Sequence, residues 1–216
     1  MSRNPHQVTK DFEAALCEYT GAPYAVAVNS CTMALTLAVA WCLSGRDLLL
    51  YRGPNVWRED CEPDVTIPRR TYVSVPHAII HAGGCPVFDD REWQGWYSLD
   101  PLPVLDSARW FTSQMFLQGR FICVSFHASK TLGLEQGGAI LHDNAEADAW
   151  FRRARFDGRA EGVAPKDDTG IIVGWHCYMN PSTAAQGILK LHSLPRHNAP
   201  LPNDDYPDLS QLEVFK

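Results

Sequence analysis

Lys130 stands in the run SFHASKTLGLEQGGAI, residues 125–140, a few residues past an apolar stretch and just ahead of a Gly-Gly pair. In an α/β sheet the carboxyl ends of parallel strands line the ligand crevice. A lysine placed there loses solvation, its pKa falls, and its amine becomes a nucleophile. Taken alone, a lysine reads as a solvated surface residue, so its meaning depends on what stands near it.

Three further segments supply that context. DSA at 106–108 places Asp106 at the end of the strand-like PVLD, where an acid can pair with a pyridinium nitrogen. NSCT at 29–32 falls between a strand and a helix, so the hydroxyls of Ser30 and Thr32, the thiol-bearing Cys31 and the backbone N–H groups there can cradle a phosphate. RRTYVS at 69–74 offers Tyr72 just after a strand, where its ring can stack on a flat cofactor. An amine, an acid, a phosphate cradle and an aromatic plate together describe a pocket for pyridoxal 5'-phosphate (PLP), with Lys130 as the Schiff-base lysine.

These residues need a scaffold, and the chain's periodicity predicts one. A helix is expected over residues 8–20, with Phe12, Ala15, Leu16 and Tyr19 on one face and Gly21 as its stop. A strand at 24–28, the polar turn 29–32 and a buried helix over 33–43 follow. Residues 46–64 lack any period and read as a loop or insertion. Further strands are expected at 65–67, 85–88, 103–105, 121–125 and 137–141, with helices at 74–82, 144–156 and 181–192. Apolar strands without period-2 polarity, alternating with helices, predict a mostly parallel sheet covered on both faces. Residues 1–192 form one large domain in this reading, and the proline-rich stretch 193–216 is an extended tail.

Composition narrows the class. Apolar residues at 45% and charged residues at 20% are ordinary for a globular protein. A net charge of -6 argues against a surface built to neutralise nucleic-acid phosphates. The seven cysteines form no CxxC pair and no zinc spacing, and read as buried free thiols in a reducing compartment. No apolar run reaches membrane-spanning length and the first residues are polar, so a cytoplasmic protein is expected. His77 and His81 sit at i, i+4 without a third ligand nearby in sequence, and the seven tryptophans, lacking interleaved basic runs, read mostly as core and interface residues. Trp93 and Trp96 are candidates for the rim of a substrate entrance.

The order and spacing of five segments resemble the DegT/DnrJ/EryC1/StrS family of PLP-dependent sugar aminotransferases. FEAALCEYTGAPYAVAVNSCTMALTLAV is similar to that family's opening helix, strand and phosphate turn; VTIPRRTYVSVPHAIIHAGGCPVFDD is similar to its next strand–helix–strand. DSA, SFHASKTLGLEQGGAI and GWHCYMNPSTAAQGILKL follow in the expected order. The resemblance implies a fold-type I architecture: an α/β domain with a mostly parallel, mixed central sheet flanked by helices, here truncated. It implies that Lys130 carries the cofactor and moves protons at the substrate's alpha carbon, and that Asp106 keeps the pyridine nitrogen protonated. Tyr72 would stack on the ring, and Ser125 with the Ser30–Cys31–Thr32 turn would hold the phosphate. The stretch 174–179 resembles one that reaches the phosphate of a neighbouring subunit's cofactor, so a homodimer with shared sites is implied.

Departures from the family pattern are equally specific. Cys31 stands where glycine is usual, Arg109 where a Gln or His contacts the cofactor's phenolic oxygen, and His176 where an Asn reaches across the dimer. The stretch between Asp90 and Asp106 is short, and a proline-rich tail stands where the family continues into a small C-terminal domain. The expected function is transamination at a sugar- or nucleotide-linked carbonyl. A PLP-dependent decarboxylase or lyase acting on a bulky substrate is the alternative, and a non-catalytic partner protein of the same fold a further one.

Overall fold

The computed structural model describes residues 6–44, 63–203 and 205–216. The loop expected over 46–64, with Trp57 and Cys61, lies almost wholly outside the described residues. Helix α1 (Gln7–Thr20) ends at Gly21, which adopts φ 79° and donates its N–H to the Cys17 carbonyl, a left-handed cap that glycine adopts without strain. Strand β1 (Tyr24–Val28) leads to α2 (Cys31–Leu43), whose N-cap Ser30 accepts the Met33 N–H at 3.2 Å. Apolar on nearly every side, α2 is buried from Ala34 to Ala40. Each of Leu35, Leu37 and Val39 adds about 1.5–3 kcal/mol by leaving water.

Next come β2 (Asp64–Pro68), α3 (Ser74–His81) and β3 (Cys85–Asp89), then β4 (Tyr97–Leu99), β5 (Val104–Asp106), β6 (Phe121–Ser125) and β7 (Gly138–His142). Helices α4 (Ala145–Ala154) and α5 (Pro181–Ser193) are capped by Asn144 and Asn180 side chains. The main sheet runs β1-β7-β6-β5-β4, and β2 pairs with β3 in a second sheet. Paired bonds between Thr66 and Asp100 (2.7 and 3.1 Å) join β2 to the end of β4.

Most expected elements fall where periodicity put them, and the sheet is mixed and flanked by helices, as the resemblance implied, with more antiparallel pairing than apolar strands alone suggested. Among the described residues β1·β7, β6·β7 and β4·β5 are antiparallel, and β5·β6 and β2·β3 are parallel. Apolar strands report burial on both faces and carry no information on direction. Direction is set by the connections: residues 100–103 are too few for a parallel crossover, and Phe126 N–H bonds back to the Gly137 carbonyl at 2.9 Å.

One core, with α2, α3 and α4, lies on one face of the sheet; another, built on Phe12, Leu16, Phe111, Phe126 and Leu191, lies under α1 and α5. Gly187 lets α5 approach α1, since a Cβ there would stand 2.6 Å from the Phe12 ring. The two sides are tied by a buried ion pair, Arg155 with Glu13.

The C-terminal stretch packs on the fold. Thr112 and Trp110 bond to the carbonyls of Arg196 and Asn198 (3.1 and 3.0 Å). Two 3-10 turns, Leu209–Gln211 and Glu213–Phe215, bury Leu209 and Phe215, the latter against His77 and Phe88. Cys17, Cys31, Cys42, Cys123 and Cys177 are free thiols. Cys85 departs from the all-thiol expectation: it is disulfide-bonded, at a half-buried position opening β3 rather than in the core.

Candidate active site

Three backbone segments converge at the start of α2. Ser30 forms a parallel bridge with Gly137, and Ser125 at the end of β6 is in register with Gly138. A Cβ on Gly138 would lie 2.5 Å from the Cys31 nitrogen and 2.7 Å from the Ser30 carbonyl carbon. Only glycine fits there. Thr32 Oγ1 lies 2.8 Å from Ser74 Oγ, which brings the first turn of α3 to the same place. The first N–H groups of α2 have no acceptor within the helix, and its dipole is positive here. An anion such as a phosphate would be held by these groups together with Ser30, Thr32 and Ser125.

Asp106 ends β5 and is 5% exposed. Its Oδ1 accepts the Ala108 N–H at 2.9 Å and its Oδ2 the Tyr97 O–H at 2.8 Å. Burial raises the carboxyl above the ordinary range; the Ala108 N–H, the Tyr97 hydroxyl and the charge of Lys130 pull the other way. Burial also drives the Cys31 thiol well up, with the Asp106 charge adding to it and Lys130 opposing. Lys130 is half-buried in the turn after β6, its N–H bonded to the His127 carbonyl at 2.8 Å. Its charge is felt at both Asp106 and Cys31. The structure thus gathers Lys130, Asp106 and Cys31 beside the α2 cradle.

Tyr72 lies in the turn between β2 and α3 and is 60% exposed, an open aromatic face. Arg109, buried in the loop after β5, directs Nη1 to the Tyr206 hydroxyl (3.3 Å) and Nη2 to the Pro202 carbonyl, both in the C-terminal segment. His176 is exposed, with Nδ1 3.0 Å from Asp157 Oδ1. Its neighbour Cys177 accepts the Asn29 N–H at 2.8 Å, so the segment runs beside the cradle while the His176 ring is held on Asp157 and against Tyr178. Trp93 is half-buried: its ring packs on Tyr97 and Tyr206, its N–H bonds the Arg70 carbonyl at 2.9 Å, and it lines a surface cavity with Gln94 and Pro202. Trp96 is 40% exposed.

Sequence reasoning missed Tyr97, Thr71 and Ser74. Tyr97 lies on a three-residue strand hidden in WQGWYSLD, too short for a periodic signal. Thr71 stands beside Tyr72 and has no local pattern of its own. Its Oγ1 lies 2.6 Å from the Tyr97 hydroxyl.

The model of the DegT/DnrJ/EryC1/StrS aminotransferase family matches residues 3–104 and 115–200, and the break between them holds Asp106 and Arg109. Similar solved structures include the aminotransferase TlmJ from Streptoalloteichus hindustanus (23% identity, TM-score 0.63, covering 87% of this chain and 58% of that one). The sugar aminotransferase CalS13 from Micromonospora echinospora is 16% identical, with TM-score 0.67 over 86% of this chain and 60% of that one. PseC from Helicobacter pylori, an aminotransferase involved in the biosynthesis of pseudoaminic acid, is 16% identical, with TM-score 0.61 over 89% and 63%. The fold is that of the fold-type I PLP-dependent aminotransferases, and the chain spans less than two thirds of these structures' length. Because the family model runs over most of its length, the chain belongs to the DegT/DnrJ/EryC1/StrS aminotransferase family.

Proposed function

We propose that the chain binds PLP at Lys130 and takes part in transamination at a sugar- or nucleotide-linked carbonyl. The observation that carries this reading is the gathering of Lys130, Asp106 and Cys31 beside an α2 N-terminus that Gly138 lets the sheet approach closely. The residues fit the cofactor. The buried Asp106 carboxylate suits a protonated ring nitrogen in addition to the charge of Lys130, and a Cβ at position 138 would run into the first backbone groups of α2, which suit a phosphate.

When bound, PLP supplies an electron-accepting ring that stabilises negative charge on the substrate carbon bearing the amine. Asp106 would hold the proton on the ring nitrogen. Lys130 would bind the aldehyde carbon and, once released, move a proton at the substrate carbon. Ser30, Thr32 and Ser125 would hold the phosphate, Tyr72 would cover a ring face, and Arg109, steadied by the C-terminal segment, would present a fixed cation near the loop after β5.

A twofold homodimer with shared sites belongs to the same reading. Asp157 engages Nδ1 of the exposed His176, so Nε2 is the ring nitrogen left to meet a partner's phosphate in this reading. A cytoplasmic setting is supported by the five free thiols; the bonded Cys85 counts against it.

The experiment is a half-reaction. Protein reconstituted with PLP is given glutamate, and absorbance near about 420 nm is followed with 2-oxoglutarate formation. Equimolar keto acid and loss of the band are expected. Carbon dioxide from an amino acid would instead indicate a decarboxylase, and absence of any band a partner protein.

A further inference from the structure

Tyr97 and Asp106 face each other across the β4·β5 ladder as register partners, so their side chains project from the same face. The phenol has one hydrogen, and it is directed at Asp106 Oδ2, 2.8 Å away. With that hydrogen committed, the 2.6 Å contact between Thr71 Oγ1 and the Tyr97 oxygen is a bond donated by Thr71. Thr71, Tyr97 and Asp106 are 1%, 3% and 5% exposed. Water has little access to any of the three, and a lost donor would have no solvent substitute.

Packing alone does not call for the hydroxyl. The Tyr97 ring sits edge-on to Trp93 at 4.7 Å, and a phenylalanine would keep that contact. The charged or titratable groups acting on Asp106 are Tyr97 from β4, Cys31 from α2, Cys123 from β6 and Lys130 from the turn after β6. Burial drives both thiols well above their ordinary range, so they stay neutral. Tyr97 donates a side-chain hydrogen bond to this carboxylate.

We propose that the Thr71–Tyr97 hydroxyl pair is a positioning device for Asp106, two donors in series that fix one carboxylate oxygen and keep the carboxylate ionised toward the ring nitrogen. The proposal rests on the PLP reading for its consequence and on this chain's own hydrogen bonds for its existence. A hydrogen bond donated to the ionised form lowers the carboxylate's proton affinity. A proton shared with a cofactor nitrogen then stays on the ring, where it strengthens the electron sink. Neither Tyr97 nor Thr71 need touch the cofactor; both act through Asp106.

The test uses Tyr97→Phe and Thr71→Val, each close to its parent in shape. In protein without cofactor, the Asp106 carboxyl is titrated by 13C NMR after labelling aspartate. Tyr97→Phe should move its midpoint upward by about one to two pH units, as expected for losing a hydrogen bond to a charged group. Thr71→Val should move it less, in the same direction. With ring-15N-labelled PLP added, the nitrogen should resonate near the protonated limit in wild type and move toward the unprotonated one in Tyr97→Phe. A folded Tyr97→Phe protein with an unmoved Asp106 midpoint overturns the proposal, even if its melting temperature falls. Should Tyr97→Phe fail to fold, Thr71→Val decides by the same midpoint. A midpoint moved by Tyr97→Phe, in a protein whose wild type takes up no PLP, supports the relay and overturns the cofactor reading.

Discussion

Arg109 and Tyr206 are joined by a 3.3 Å hydrogen bond from the guanidinium Nη1 to the phenol oxygen, which ties the loop after β5 to the C-terminal segment. The same tyrosine offers its carbonyl to Arg70 Nη1 at 3.2 Å and stacks on Trp93. One residue of the tail therefore bridges the ends of β2 and β5, the two strands that deliver Tyr72 and Asp106. The tail acts as a strap over the strand ends.

Removing that bridge should loosen the strap without disturbing the sheet. Tyr206→Ala is expected to cost about 1–2 kcal/mol, from one stacked ring and the hydrogen bond that Arg109 donates to its hydroxyl. Amide exchange should quicken at Leu201, whose N–H bonds the Arg109 carbonyl at 2.8 Å, and stay slow at Ile122 and Val124. Unchanged exchange at Leu201 would mean that the strap is held elsewhere.

Gly138→Ala tests the cradle by volume. The new methyl would stand 2.5 Å from the Cys31 nitrogen, and the start of α2 must move to admit it. Overpacking of this kind costs about 1–3 kcal/mol. Phosphate-dependent PLP affinity should fall by about tenfold or more, the loss of one good charge-assisted hydrogen bond. A dialysis titration with PLP against pyridoxal separates the two effects, because pyridoxal lacks the phosphate and should lose little.

Glu13→Ala tests the pair that spans the two sides of the sheet. Arg155 is fully buried, and its Nη1 bonds both Glu13 and the Ala27 carbonyl (2.7 Å for the latter). Without Glu13 the guanidinium keeps Glu161 at 2.9 Å but loses its main counter-charge. Breaking such a pair costs about 3–5 kcal/mol. Urea denaturation should show it as a lower midpoint with an unchanged slope.

Stability should also respond to acid through His142. Burial holds this imidazole down to about 4, boxed by the rings of Tyr24, Phe121 and Phe151. The unfolded chain takes up this proton below about pH 6.5, whereas the folded one resists until about pH 4. Stability is retained above that window and falls as pH drops through it, by up to about 3 kcal/mol. His142→Phe should flatten the urea midpoint between pH 6.5 and 4; an unaltered slope would place the acid sensitivity elsewhere.

The sequence carried more of the elements than of their arrangement. Helix and strand positions were legible because α1, α2, α5 and the apolar strands have strong periods and clear stops, such as Gly21 and the Asn180–Pro181 start. Strand direction was hidden, because VLD and FICVS read alike whichever way they run. Lys130, Asp106 and the Ser30–Thr32 turn could be nominated together from the sequence, since each lies in a recognisable segment. Tyr97 and Thr71 could not: each contributes one hydroxyl to a bond across the sheet, and nothing local marks it. The tail read as a loose arm because proline and polar residues dominate it. Its anchors, Tyr206, Leu209 and Phe215, are single residues that gain meaning only from what they meet.

The most direct measurement of the central claim is the absorbance of wild type and Lys130→Ala reconstituted with PLP, before and after borohydride. The account predicts a wild-type band near about 420 nm. Borohydride should abolish it and leave a stable mass adduct on the peptide holding Lys130, and the variant should show neither. An equal band and adduct in Lys130→Ala, or none in a folded wild type, would contradict it.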